Sequence, residues 1–275
     1  MTAGSDALPT AFADSLGDRV RTSSPVTRVF RDENGVVATY GTGGTGEELR
    51  SSHLICTVPL PVIGKIEFEP VLSQEKRAAF TATSYQDVTR VYVQYAQRIW
   101  VDDCLNGWAL SYEEGYQEIW HPTWNQEGPR GILMSYLFGD KAREVAAMGP
   151  GAIVPGFIDR FNGLFPGTRE VAEQGTHFAW EDQPWIGAAY TNYSPPFSAH
   201  PELASAEGPI HFAGEHASRY RGWMQGAFES GLRAASEIDA TVTGERRASA
   251  RVAISRRQMM RRLVGNQSVP AWLLP

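Results

Sequence analysis

Residues 210–238 read IHFAGEHASRYRGWMQGAFESGLRAASEI, and this stretch decides the fold. Ile210-His211-Phe212-Ala213 is a short apolar run suited to a buried strand, and Gly214-Glu215 turns the chain out of it. A loop follows and ends at Gly222, and the spacing from about Trp223 to Ala240 predicts a long helix. A strand–turn–helix unit presents a helix N-terminus, with unpaired N–H groups and a positive dipole end, to an anion or an electron-rich ring edge. Small residues at 213, 214, 222, 226 and 227 let backbone approach something flat or phosphorylated. Glu215, just past the strand, is suited to accept hydrogen bonds from hydroxyls. A glycine-eased helix packed on a sheet explains the same residues without any ligand.

Working outward, residues 7–16 have helical spacing, and the β-branched run Pro25–Phe30 predicts a strand. Asp32-Glu33-Asn34-Gly35 predicts a hairpin turn, since Asn-Gly tolerates positive φ, with Val36–Tyr40 returning. GTGGTGEE (41–48) reads as a flexible loop, and His53–Val58 as a buried strand stopped by Pro59. Its glycines follow a hairpin and open no helix, so they are not a nucleotide-binding loop. Between Leu60 and about Ala179, Ser73–Phe80 predicts a helix and Thr89–Tyr95 a strand. The aromatic segments Ile119–Trp124 and Gly131–Phe138 follow, then helices over Lys141–Met148 and Val154–Phe165. This reads as a sheet with helices on one side, so the whole is α/β plus α+β.

With 275 residues, 42% hydrophobic and 20% charged, the composition is that of an ordinary globular protein with room for a sizeable core. A net charge of −6 gives no broad basic surface for nucleic acid. No run approaches the length of a membrane helix, and MTAGSDALPT is not a signal peptide. Two cysteines, Cys56 in an apolar run and Cys104, make no disulfide framework, so a cytoplasmic location is expected. No metal-ligand spacing stands out. Residues 246–275 form a tail with seven arginines from Arg246 to Arg262, a solvated helix or a docking segment for an acidic surface.

The 210–238 stretch resembles the C-terminal flavin-binding segment of the flavin monoamine oxidase and L-amino-acid oxidase family almost throughout. Two further segments fall in that family's order, WEDQPWIGAAY (180–190) and CTVPLPVIGKIEFEP (56–70). The resemblance covers about residues 5–240 and implies the C-terminal half of a two-domain FAD-dependent amine oxidase fold. Residues 1–60 would belong to the FAD-binding domain, 61–179 to a mixed-sheet substrate domain, and 180–245 to the C-terminal part of the FAD-binding domain.

By that resemblance, Glu215 contacts the ribityl–pyrophosphate region of FAD, and Gly214, Gly222 and Ala227 give it close backbone approach. The Met224 amide faces the pyrimidine edge, Trp180 packs near the ring, and the Val26 backbone meets the adenine. Tyr190 and Trp223 form the aromatic cage. Core packing is the plainer account of Tyr190 and of Trp185. Some relatives bind FAD through a cysteine one residue before the tyrosine; Ala189 stands there, which implies noncovalent FAD. Lys65 would hold a water against flavin N5, and its apolar flanks, Ile63, Ile66 and Phe68, suit a partly desolvated ammonium with a lowered pKa; a surface lysine at a strand edge is the plainer account. Arg219 and Arg221 are candidates for holding a substrate carboxylate.

The family's opening βαβ unit with G-x-G-x-x-G does not occur among these residues. The implied function is a subunit of an amine or L-amino-acid oxidase, using dioxygen and releasing hydrogen peroxide. A second polypeptide would bring the dinucleotide-binding half, and an exposed apolar face is expected where it docks. The alternative is a non-catalytic partner-binding module, or a fragment, descended from such an oxidase.

Overall fold

The computed structural model describes residues 4–41, 46–111, 115–192 and 200–243. Internal contacts divide the chain into Met1–Ala235 and Ser236–Pro275, and the described part of the second is the last turns of one helix and Thr243. The arginine-rich tail and residues 42–45 of the Gly/Thr loop lie outside the described residues.

Helix α1 (Ala7–Leu16) leads to strands β1 (Val26–Asp32) and β2 (Gly35–Tyr40), paired antiparallel from Val26↔Tyr40 to Asp32↔Gly35. The hairpin forms as expected, but positive φ falls on Gly35 alone (126°). Asn34 instead donates its N–H to Asp32 Oδ1 at 2.8 Å, an Asx turn that fixes the corner. Strand β3 (Glu47–Ser51), which takes in the end of the 41–48 stretch read as a loop, adds to β2. All five of its residues are exposed, so no alternation marks it in the sequence. Strand β4 (Leu54–Cys56) is followed by a 3-10 helix over Leu60–Lys65 and by β5 (Glu67–Glu69), which runs parallel to β1.

Ser73 caps helix α2 (Gln74–Ala82) by accepting from the Lys76 N–H, and Lys76 is fully buried. Its ammonium donates to the Glu202 and Ser205 carbonyls and to Ser205 Oγ. Then come β6 (Tyr85–Gln86), β7 (Val88–Tyr95), α3 (Ile99–Asp102), β8 (Ala109–Ser111), β9 (Gln117–Trp120) and β10 (Gly131–Phe138). Helices α4 (Asp140–Ala146) and α5 (Pro150–Leu164) precede β11 (Ala172–Ala179), β12 (Tyr190–Thr191), α6 (Pro201–Ala204), β13 (Ile210–Phe212) and α7 (Met224–Val242). Helix α5 begins at Pro150, earlier than its apolar spacing suggests, because proline is well suited to a first helical position.

Strands β7 to β11 form a five-stranded antiparallel sheet, ordered β11-β7-β10-β9-β8. One face packs Val91, Val93, Tyr95, Ile119, Leu133 and Leu137 against Ala142 and Val145 of α4 and Ile153, Phe157 and Phe161 of α5. Fully burying each large apolar side chain contributes roughly 1.5–3 kcal/mol, so this cluster anchors the sheet. Period-2 alternation sends the intervening residues to the other face. Cross-strand register aligns Leu110, Glu118, Tyr136, Arg90 and Phe178 there in one row. A second core joins Val29, Val36, Cys56, Leu72, Ile210 and Phe212, and β13 pairs parallel with β4 inside it. Among the described residues, no helix is long and apolar enough to cross a membrane.

Candidate functional site

Strand β13 ends at Phe212, and Gly214 (φ 138°) turns the chain into a short 3-10 turn, Glu215–Ala217. A Cβ at Gly214 would lie 2.4 Å from the His216 ring, so glycine is required there twice over. The Gly214 N–H donates to Ser230 Oγ at 2.9 Å, and Ser230 Oγ also bonds the Gly214 and Ala227 carbonyls. This ties the turn to the first turns of α7. Gly226 lies so close beneath the loop that a Cβ would be 2.2 Å from the Tyr220 carbonyl oxygen.

At the start of α7 the Trp223 carbonyl accepts from Gly226 and Ala227, which leaves the Met224 and Gln225 amides at the open end of the helix. Trp223 is 58% exposed and Met224 52%. Gly222, at φ 74°, borders Tyr190: a Cβ there would lie 3.5 Å from Tyr190 Cδ2. The structure thus brings Tyr190 beside the residue preceding Trp223, at the mouth of an open helix N-terminus.

The Glu215 carboxylate accepts from the Thr191 N–H (2.9 Å), the Thr191 hydroxyl and the Gly222 N–H (2.6 Å). From the sheet side, the Tyr190 hydroxyl bonds that of Tyr136 at 2.8 Å. The Arg90 guanidinium lies 4.8 Å from the Tyr136 ring centroid, and its Nε is buried with no hydrogen-bond partner among the described residues. Burial, then the bond to Tyr136, pushes the Tyr190 phenol pKa well above its ordinary value, so it is neutral at physiological pH. Tyr136 and Arg90 were not singled out from the sequence. Alternation along β7 and β10 already placed them on the face opposite the Val91–Val93 core, and that signal could have found them.

Lys65 differs from expectation. Ile63, Ile66 and Phe68 turn into the core while the lysine is exposed, because the 3-10 turn rotates its side chain outward. Its ammonium donates to the Pro184 carbonyl and lies 5.0 Å from the Trp185 ring centroid. Trp185 is 59% exposed, so the core-packing account of that residue fails. The Trp180 ring packs edge-on against Phe178 at 4.7 Å, and its backbone N–H donates to the Val88 carbonyl. Glu181 accepts from Thr89 Oγ1 at 2.7 Å. Val26 pairs with Tyr40 in the β1–β2 sheet and packs on the second core. Arg219 pairs with Glu229 at 3.5 Å, and Arg221 is buried and donates to the Asn192 carbonyl, so both are engaged within the protein.

An exposed indole, an open helix N-terminus and a neutral half-buried phenol suit a flat, electron-rich ring system, and the residues present fit an isoalloxazine. The comparisons with known proteins agree. The profile of the flavin containing amine oxidoreductases matches residues 1–239, and the chain belongs to that family. Among curated relatives, it is 28% identical over 246 residues to the flavin-dependent L-tryptophan oxidase RebO of Lentzea aerocolonigenes, covering 86% of this chain and 52% of that protein. It is 27% identical to the putative L-amino-acid oxidase YobN of Bacillus subtilis (strain 168), with 87% and 52% covered. The chain therefore spans about half the length of these relatives. Its fold matches cyclohexylamine oxidase from Brevibacterium oxydans IH-35A with a TM-score of 0.77 at 23% identity, covering 87% of this chain and 53% of that one. Putrescine oxidase bound to putrescine gives 0.75 at 22% identity, with 86% and 53% covered.

Proposed function

We propose that this chain is the substrate-facing half of a flavin-dependent amine or L-amino-acid oxidase, completed by a second polypeptide that carries the dinucleotide-binding half. Residues 61–179 supply the substrate side, and residues 1–60 and 180–245 the FAD side. The observation that carries the reading is the placement of Tyr190 against Gly222, beside Trp223 and the open end of α7. Exposure of Trp223, Met224 and Trp185 is what a face completed by cofactor and partner requires.

FAD bound noncovalently would meet the Met224 amide, the small backbone at Gly214, Gly222 and Ala227 and the Trp180 side, with Val26 toward the adenine; Glu215, whose oxygens accept from Thr191 and Gly222, would support this lining rather than reach the cofactor directly. When bound, it would supply the redox chemistry: hydride from the amine-bearing carbon to the flavin, an imine product, and reoxidation by dioxygen to hydrogen peroxide. The protein's own part is positional and electrostatic. Tyr190 and Trp223 wall the cavity and exclude water, and the neutral phenol keeps charge away from an uncharged amine. The open end of α7 stabilises negative charge at its mouth. Lys65, which donates to the Pro184 carbonyl in the chain alone, would hold a water for proton transfer in the complex. The free thiols of Cys56 and Cys104 fit a reducing, cytoplasmic setting.

The test is co-expression of the chain with the product of the adjacent gene, purification of each form, and the visible absorption spectrum. Flavin bands in the complex and not in the separate chains support a shared cofactor. Flavin-free preparations throughout would favour a non-catalytic module.

A further inference from the structure

We infer that Glu215 is a positioning residue that locks the two aromatic walls of the site into one unit, acting through Thr191 and Gly222. This rests on the reading of Tyr190 and Trp223 as site walls.

Tyr190 and Trp223 come from segments over thirty residues apart, one a two-residue strand and the other the end of a loop. Strand β12 is too short to fix Tyr190 alone, and Trp223 is tied to α7 through its carbonyl but enters from a loop. Among the described residues, strand β12 pairs only with the equally short β6, and the loop reaches Gly222 at positive φ. A carboxylate joins them, beside the bond from Arg221 to the Asn192 carbonyl. Oε1 accepts from the Thr191 N–H, while Oε2 accepts from both the Thr191 hydroxyl and the Gly222 N–H. Thr191 is fully buried while Glu215 and Gly222 are half-buried, so these are charge-assisted bonds partly shielded from water.

Each bonded residue is covalently next to a wall: Thr191 follows Tyr190, and Gly222 precedes Trp223. The Gly222 backbone also borders the Tyr190 ring, which makes the two walls neighbours across the carboxylate. Glu215 itself is fixed by the Gly214–Ser230 bonds to α7, so the clamp is anchored to the longest helix. With its oxygens facing protein donors, Glu215 sets the spacing of the cage.

Glutamine tests this because it keeps the shape and has only one acceptor oxygen. In Glu215→Gln, the carbonyl can serve the Thr191 N–H or the Gly222 N–H but not both, and the amide nitrogen opposes the other donor. Hydrogen exchange on the full chain, resolved to residues by NMR, reads each amide without any flavin. Glu215→Ala is expected to accelerate exchange at Thr191 and Gly222 together, by on the order of ten- to a hundredfold each. Glu215→Gln should release one of the two, and Glu215→Asp should restore part of the protection at both. Amides of Val91 and Leu133 in the sheet core report whether any variant has unfolded globally. In each variant, acrylamide quenching of Trp223 fluorescence, isolated by difference against Trp223→Phe, should rise with release of Gly222.

Release of only one amide in Glu215→Ala, or unchanged quenching, would overturn the clamp. That result would leave the oxidase reading standing, because flavin retention by the complex is measured separately. Conversely, coupled release in a chain that never binds flavin would keep the clamp and remove its oxidase role.

Discussion

Replacing Gly226 by alanine places a methyl carbon 2.2 Å from the Tyr220 carbonyl oxygen and 3.1 Å from Ser218 Oγ. Helix propensity argues the other way, since alanine gains about 1 kcal/mol over glycine inside a helix. The first obstacle is backbone and cannot swing aside, so the overlap belongs at the upper end of overpacking costs, about 3 kcal/mol. The net expectation for Gly226→Ala is a loss of about 2 kcal/mol. Gly231 lies on the same helix with nothing within 4 Å of its virtual Cβ, so Gly231→Ala should gain the full propensity of about 1 kcal/mol. Urea denaturation followed by far-UV circular dichroism should place the two midpoints on opposite sides of wild type, separated by about 1 M. Two variants that stabilise equally would refute the close packing of α7 under the 214–222 loop, and with it the placement of Trp223.

Lys76 is buried and its pKa is depressed to about 8, from lysine's ordinary 10.5. Folding therefore releases its proton, and wild type should gain stability as pH rises from 8 toward 10.5. Thermal melts of Lys76→Met should lack that rise. His216 is buried against the Tyr85 hydroxyl, and burial lowers its pKa to about 4, so its neutral form favours folding and stability falls as pH drops from 6.5 toward 4. Urea titrations at successive pH values should show an acid loss on the order of 3 kcal/mol that is missing in His216→Gln. Tyr136→Phe keeps the ring beneath Arg90 but strips the Tyr190 hydroxyl of its partner, at a cost of about 1 kcal/mol. It should also bring Tyr190 ionisation to lower pH, read by ultraviolet titration against Tyr136→Phe/Tyr190→Phe.

The elements legible in the sequence are those whose burial writes a period into it. Val91, Val93 and Tyr95 alternate because one face of β7 meets α4 and α5, and β10 is legible for the same reason. Strand β13 and α7 declare themselves through an apolar run, two glycines and a long helical face. What was missed has no such imprint. Strand β3 is exposed along its length, and β11 carries Glu173, Gln174 and Gly175 where an apolar alternation would be needed. The desolvated Lys65 was inferred from flanking Ile63 and Ile66, but neighbours in sequence share an environment only if the local backbone points them the same way, and the 3-10 turn does not. The links from Glu215 to Thr191 and Gly222 could not be read from spacing, because they join segments that meet only in the folded chain. The identities of Tyr190 and Trp223 as candidates came from resemblance, and their adjacency from the fold.

The central claim is tested most directly by mixing the flavin-loaded complex anaerobically with a panel of primary amines and L-amino acids and following the visible spectrum. The account predicts that at least one of them bleaches the oxidised flavin, and that admitting air restores the colour with formation of hydrogen peroxide. A complex whose flavin is reduced by dithionite but by no amine or amino acid would contradict it.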